Sequence, residues 1–227
     1  MAVVDTMTTS PSIKQEPISA QVKETLQLAA PVFLARLGVM SLTVIDTAMV
    51  GQVEAAELAY LGIGLPPSYW LLMLGMGLLM GGGILTAQAN GAGRRHEVAA
   101  IWLSAMKHGL IFSAICICLS YLGTDLLLLS GQTEEIASGA GKIMVAYAWG
   151  MPAIMISAAT GSVMEGIKRP NIAMLMMLIA NVINIALNWV LVFGNLGIEP
   201  MGAEGAIYGT SVARWISALI FLYVFFK

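Results

Sequence analysis

The sequence predicts an all-α protein built as a polytopic bundle of six transmembrane helices. Three observations carry this. Of the 227 residues, 58% are hydrophobic and only 11% are charged, with a mean hydropathy of +0.83. A soluble domain cannot hide that much apolar surface. Six apolar stretches each reach the roughly 20 residues needed to cross a bilayer as a helix. Finally, the first, third and fifth connections between them contain no Lys or Arg, while the second and fourth do.

The first twenty residues, MAVVDTMTTSPSIKQEPISA, are polar and mixed. They contain neither the apolar run of a signal peptide nor a myristoylation signal, so residues 1–25 are expected to be a disordered cytoplasmic tail. Residues 26–227 then form the membrane lobe. The spans are expected at about 26–50, 58–88, 99–122, 136–163, 172–193 and 206–226. The second is long enough to tilt or break at Pro66–Pro67, and the fourth is expected to kink near Pro152. Lys14, Lys23, Arg94, Arg95, Lys168, Arg169 and Lys227 lie in the tail, the even connections and the end. The odd connections hold no Lys or Arg, but carry Glu54, Glu57, Asp125, Glu134, Glu135, Glu199 and Glu204. This asymmetry places both termini in the cytoplasm and the odd connections outside.

The first span, PVFLARLGVMSLTVIDTAMVG, carries Asp46. A carboxylate at membrane depth costs about 2.5–3.5 kcal/mol on insertion scales. A bound cation, a proton or polar neighbours must offset that. In the fifth span, NVINIALNW spaces Asn181, Asn184 and Asn188 by three and four, which puts the three amides on one helix face. Carboxylate and amide oxygens form a hard-oxygen set suited to Na⁺ or a proton rather than a soft transition metal. The competing reading is structural: an aspartate satisfied by neighbours, and amides that bond helix to helix.

Other features are less specific. Arg36, Lys107, Lys142 and Arg214 fall inside spans; the two lysines lie near helix ends and can snorkel, while the roles of Arg36 and Arg214 stay open. Gly77 and Gly81 form a GxxxG suited to close helix packing. The 16 methionines offer either an adaptable drug-binding surface or ordinary packing. Cys116 and Cys118 read as buried thiols and are too few for a zinc site. His96 and His108 read as interfacial. No P-loop, G-x-S-x-G or H-E-x-x-H is present, and no basic run suits nucleic acid, so neither enzyme chemistry nor nucleic-acid binding is expected. The two three-helix halves show no self-similarity.

Five segments in register carry a family resemblance: VIDTAMVG, GMGLLMGGGILTAQANGAGRRHE, VMEGIKRP, NVINIALNWVLVFGNLG and GAEGAIYGTSVARW. Together they resemble the N-terminal half of multidrug and toxic compound extrusion (MATE) transporters. The resemblance implies one six-helix lobe of a twelve-helix secondary antiporter that exports organic cations in exchange for Na⁺ or H⁺. It places a cation or proton site on Asp46, Asn184, Asn188 and Thr210, with Asn181 on the same face but unmatched. No cofactor beyond the coupling ion is expected. The expected partners are membrane lipid, organic cations and a second six-helix half, either a copy of this chain or another, in a plasma membrane. With half the family length present, a truncated product, a pairing half and a fragment all remain open. Two other readings stand beside export: a flippase for lipid or polysaccharide precursors, favoured by Arg36 and Arg214, and an inactive or assembly-only membrane subunit.

Overall fold

The computed structural model describes residues 18–227, and the expected tail up to residue 17 lies outside them. The chain forms α1 (Ile18–Val50), α2 (Ala55–Gly91), α3 (Glu97–Tyr121), α4 (Gly123–Leu129), α5 (Glu134–Gly166), α6 (Pro170–Leu191) and α7 (Gly202–Phe226). Among the described residues, six of these helices are long and apolar enough to cross a membrane, at the expected positions. The fold is thus an all-helical, multi-pass bundle. The short α4 and a 3₁₀ turn at Asn195–Gly197 are additions that apolar periodicity did not foresee.

Boundaries differ from the expectation in instructive ways. α1 begins at Ile18, ahead of the expected span, and Pro31 lies inside it. α2 continues through Pro66 and Pro67, and α5 through Pro152. Proline removes one backbone donor, and in a membrane bundle neighbouring helices can help satisfy the carbonyl it frees.

α5 is the axis of the bundle. The most apolar window of α5 is 67% buried, against 17–39% in the other five spans. It packs on α2, α3, α4, α6 and α7, while α1 rests mainly on α6 and α7. Small residues make this position possible. An added Cβ at Gly141 would run into Thr124 of α4, and one at Gly150 would meet Ser211 Oγ of α7 at 2.7 Å. On α2, a Cβ at Gly64 would meet the Ala140 carbonyl oxygen at 2.6 Å. The GxxxG pair does not take part: Gly77 and Gly81 are exposed, and a Cβ on either meets nothing within 4 Å. Spacing alone could not say which α2 face meets α5.

Helix ends are set by specific contacts. Thr133 Oγ1 accepts from Ile136 N at the start of α5, and Pro170 opens α6, where a missing N–H costs nothing. At the start of α7, Glu57 Oε2 of α2 accepts from Ala203 N at 2.7 Å. Gly202 there has φ of +54°, and a Cβ would strike Glu57 Oε2 at 2.5 Å. An acid expected in the first outer connection therefore caps the start of α7, the sixth span.

Two outcomes follow, both readable by thermal unfolding of the purified chain followed through tryptophan fluorescence. Gly64→Val should destabilise by about 1–3 kcal/mol through overpacking. Gly81→Ala should be neutral or stabilising by up to about 1 kcal/mol, because nothing opposes the methyl group and helix propensity rises.

Candidate functional site

Asp46 sits on the last full turn of α1, facing α6 and α7, and is only 3% exposed. Asn184 and Asn188, one turn apart on α6, are both 0% exposed, and Thr210 on α7 is 1% exposed. The three spans bring these four side chains together. Asn188 Nδ2 donates to Asp46 Oδ1 at 2.6 Å, and Asn184 Nδ2 to the same oxygen at 3.1 Å. Thr210 Oγ1 donates to Asp46 Oδ2 at 2.6 Å and accepts from Asn184 Nδ2 at 2.7 Å.

The electrostatics of this cluster are unusual. The carboxylate is hydrogen-bonded by neutral groups, and the Arg214 charge acts on it from beyond ion-pair distance; the ion pairs among the described residues include Arg94–Glu97 and His96–Glu97 near one end of the bundle. Bonds to a carboxylate contribute about 1.5–3 kcal/mol each, so three of them can offset most of the cost of burial. Acceptors nevertheless remain in surplus. Asn184 Oδ1 is buried with no partner, and Asn188 Oδ1 receives only a long 3.5 Å contact from Asn184 Nδ2. Five oxygens within one cluster, one of them orphaned, fit a proton or a small hard cation. No group of three His, Cys, Asp or Glu side chains placed to hold a metal occurs among the described residues.

Asn181 takes a different job. Its Nδ2 donates to Gly38 O of α1 at 3.0 Å and to Met177 O at 2.9 Å, so it ties α6 to α1 two turns away from Asn188. One helical face thus holds both a bundle tie and a site. Gly209 makes room for the site, since a Cβ there would sit 2.5 Å from Asn188 Oδ1.

The open basic residues separate by position. Arg36, Lys107 and Lys142 are exposed, whereas Arg214 is half-buried, with its Cζ 4.9 Å from the centre of the Tyr147 ring. Tyr147 in turn makes an edge contact with Tyr69, whose hydroxyl hydrogen-bonds Thr43 Oγ1 of α1 at 2.9 Å. None of these tyrosines was singled out by sequence reasoning, because an aromatic in an apolar run carries no positional signal. The methionines form no common surface: Met151 and Met155 are core residues, while Met73 and Met80 face outward. Cys116 is buried as expected, but Cys118 is exposed. His96 and His108 are both exposed.

Thr210→Val should remove one charged hydrogen bond and lower stability by about 1.5–3 kcal/mol. Gly209→Ala should have a comparable effect by pushing Asn188 off the carboxylate. Glu57→Ala, which loosens the start of α7, should cost about 0.5–2 kcal/mol. Denaturation midpoints of the three variants check this order.

The family model described as MatE matches residues 31–190. The chain is 33% identical over 214 residues to the "Probable multidrug resistance protein NorM" of Caulobacter vibrioides, covering 92% of this chain and 45% of that protein. It is 29% identical to the "Multidrug resistance protein NorM" of Vibrio cholerae, covering 87% and 43%. Its backbone also resembles two solved structures. One is the eukaryotic MATE transporter AtDTX14, with TM-score 0.85 and 20% identity over 92% of this chain and 46% of that one. The other is a MATE family multidrug resistance transporter in an outward-facing conformation, with TM-score 0.80 and 22% identity over 88% and 44%. The chain spans about half the length of the curated relatives it matches. With a six-span bundle and a family match over most of its length, the chain belongs to the MatE family.

Proposed function

We propose that this chain is the N-terminal lobe of a secondary antiporter that exports organic cations, drugs among them, in exchange for Na⁺ or H⁺. The single observation that carries this is the buried Asp46 carboxylate, ringed by Asn184, Asn188 and Thr210 with an acceptor oxygen left over. The multidrug resistance names of its relatives support the substrate class.

In this mechanism a proton or Na⁺ neutralises Asp46. The three donors then lose the charge that draws them together, and the seam between α1, α6 and α7 loosens. A ligand shifts such an equilibrium only through its different affinity for the two states, and here that difference is concentrated on one carboxylate. The drug and the coupling ion are released on opposite sides as the lobe rocks against a second lobe. That second lobe is another six-helix unit, covalent or separate. In this orientation both termini are cytoplasmic and Asp46 lies toward the outer face. A flippase for anionic carriers draws less support, because Arg36 is exposed and leaves Arg214 as the basic group inside.

The test is efflux of ethidium driven by an imposed Na⁺ or H⁺ gradient, measured in vesicles with the chain completed by its second lobe. Asp46→Asn should reduce gradient-driven efflux at least about tenfold, given the several kcal/mol concentrated on this group. Unchanged efflux in that variant contradicts the role assigned to Asp46. In the isolated chain, Na⁺ or a pH step should shift the unfolding temperature of the native sequence and leave Asp46→Asn unmoved.

A further inference from the structure

Away from the Asp46 cluster, at the end of the bundle where the odd connections lie, a cavity of about 250 Å³ opens between α4, α5 and α7. Three helix termini frame it. Tyr121 is the last residue of α3, Thr124 lies in the short α4, and Glu204 lies in the first turn of α7. Lys142 of α5 and Tyr208 of α7 complete its polar lining. This is the level at which a membrane meets water, where tyrosine rings and snorkelling lysines are favoured. A smaller cavity toward Glu57 and Tyr60 of α2 shares both Lys142 and Glu204.

The two charges are left open. Lys142 is exposed, and among the described residues its ammonium has no ion-pair or hydrogen-bond partner. Glu57 is already engaged, since its Oε2 accepts from Ala203 N. Glu204 is half-buried and acts electrostatically on Tyr208, as Tyr121 does, so the carboxylate and both phenols share one space. A cation and an anion thus face the same cavity without joining. A simple ion entering it would satisfy one of them and be repelled by the other.

An apolar track leads away from this rim. On α5, Lys142, Val145 and Trp149 follow at spacings of three and four; on α7, Glu204, Tyr208, Val212 and Ile216 follow at four. Ser211 Oγ donates to Ala146 O at 2.8 Å and Trp215 Nε1 to Trp149 O at 2.9 Å, so the two helices run side by side here. Trp149, Val212 and Ile216 are exposed along the track. Charges of both signs above an exposed apolar track call for a zwitterionic head on a hydrocarbon chain. We propose that this groove binds a phospholipid with a primary-amine headgroup, phosphatidylethanolamine, whose phosphate meets Lys142 and whose ammonium donates to Glu204. A choline headgroup brings the phosphate but has no N–H to donate, and a glycerol headgroup brings no cation. The inference needs only the membrane bundle and is independent of the antiport cycle.

The test is quenching of tryptophan fluorescence by phospholipids with brominated chains, added to the purified chain in dodecyl maltoside micelles, which contain no phosphate. Trp149 lies two turns along α5 from Lys142 and reads occupancy of the track. Brominated phosphatidylethanolamine should bind about fivefold more tightly than brominated phosphatidylcholine, the scale of one partly exposed charge pair. Glu204→Gln should abolish that preference. Lys142→Gln should weaken both phospholipids about fivefold, and Lys142→Arg, which keeps the charge, should restore them. Brominated diacylglycerol, which has no headgroup charge, should quench the native chain and the variants alike, showing that the variants are folded. Equal binding of the ethanolamine and choline lipids by the native chain overturns the site. So does a preference that survives Glu204→Gln, phospholipid binding indifferent to Lys142→Gln, or phosphatidylglycerol binding as tightly as phosphatidylethanolamine. Displacement of the lipid by an equal concentration of soluble phosphoethanolamine also overturns it, because the apolar track then contributes nothing.

Discussion

A carboxylate buried in an apolar bundle and hydrogen-bonded only by neutral groups is the constraint on which the rest of this structure depends. Asp46 gathers donors from two other helices, Asn184 and Asn188 from α6 and Thr210 from α7. Each of those groups would be costly to bury alone. Together they satisfy one another almost completely, and the one acceptor left over is the Asn184 oxygen. The seam between α1, α6 and α7 is therefore polar at its centre and apolar elsewhere. That makes its geometry sensitive to the charge on a single group.

The surrounding packing preserves this arrangement. Gly209 leaves space for Asn188, Asn181 fastens α6 to the α1 backbone at Gly38, and Glu57 caps the helix that carries Thr210. α5 lies on the other side of α7 and gives it a rigid backing through Ser211 and Trp215. The bundle thus splits into a tightly packed body around α5 and a polar seam beside it. The centre of the seam is held by directional hydrogen bonds, whereas the body is held mainly by apolar packing.

Much of this was legible beforehand, in a graded way. The spans emerged from hydropathy because a bilayer demands about 20 apolar residues whatever the tertiary fold. Asp46 stood out because a charge in such a run is rare, and the asparagine face emerged from helical periodicity. Thr210 was reached only through family resemblance: a threonine in a membrane helix usually bonds its own backbone and carries no mark of function. Gly77 and Gly81 misled, because a spacing motif names a face capable of close packing without naming a neighbour. Asn181 shared the periodicity of Asn184 and Asn188 yet bonded elsewhere, since its level on α6 meets the α1 backbone where Gly38 lies.

The order of residues was therefore enough to establish six membrane-length helices and a polar face on one of them, since those properties depend on composition and on the 3.6-residue period alone. Which polar groups meet is a matter of rotation and depth between helices, and these are decided by packing of small residues along α5 and α7. Arg36 and Arg214 make the point most clearly. Both are arginines within apolar runs, but one ends exposed on α1 and the other over the Tyr147 ring. The difference comes from which way each helix turns against its neighbours, and a linear pattern does not encode that rotation.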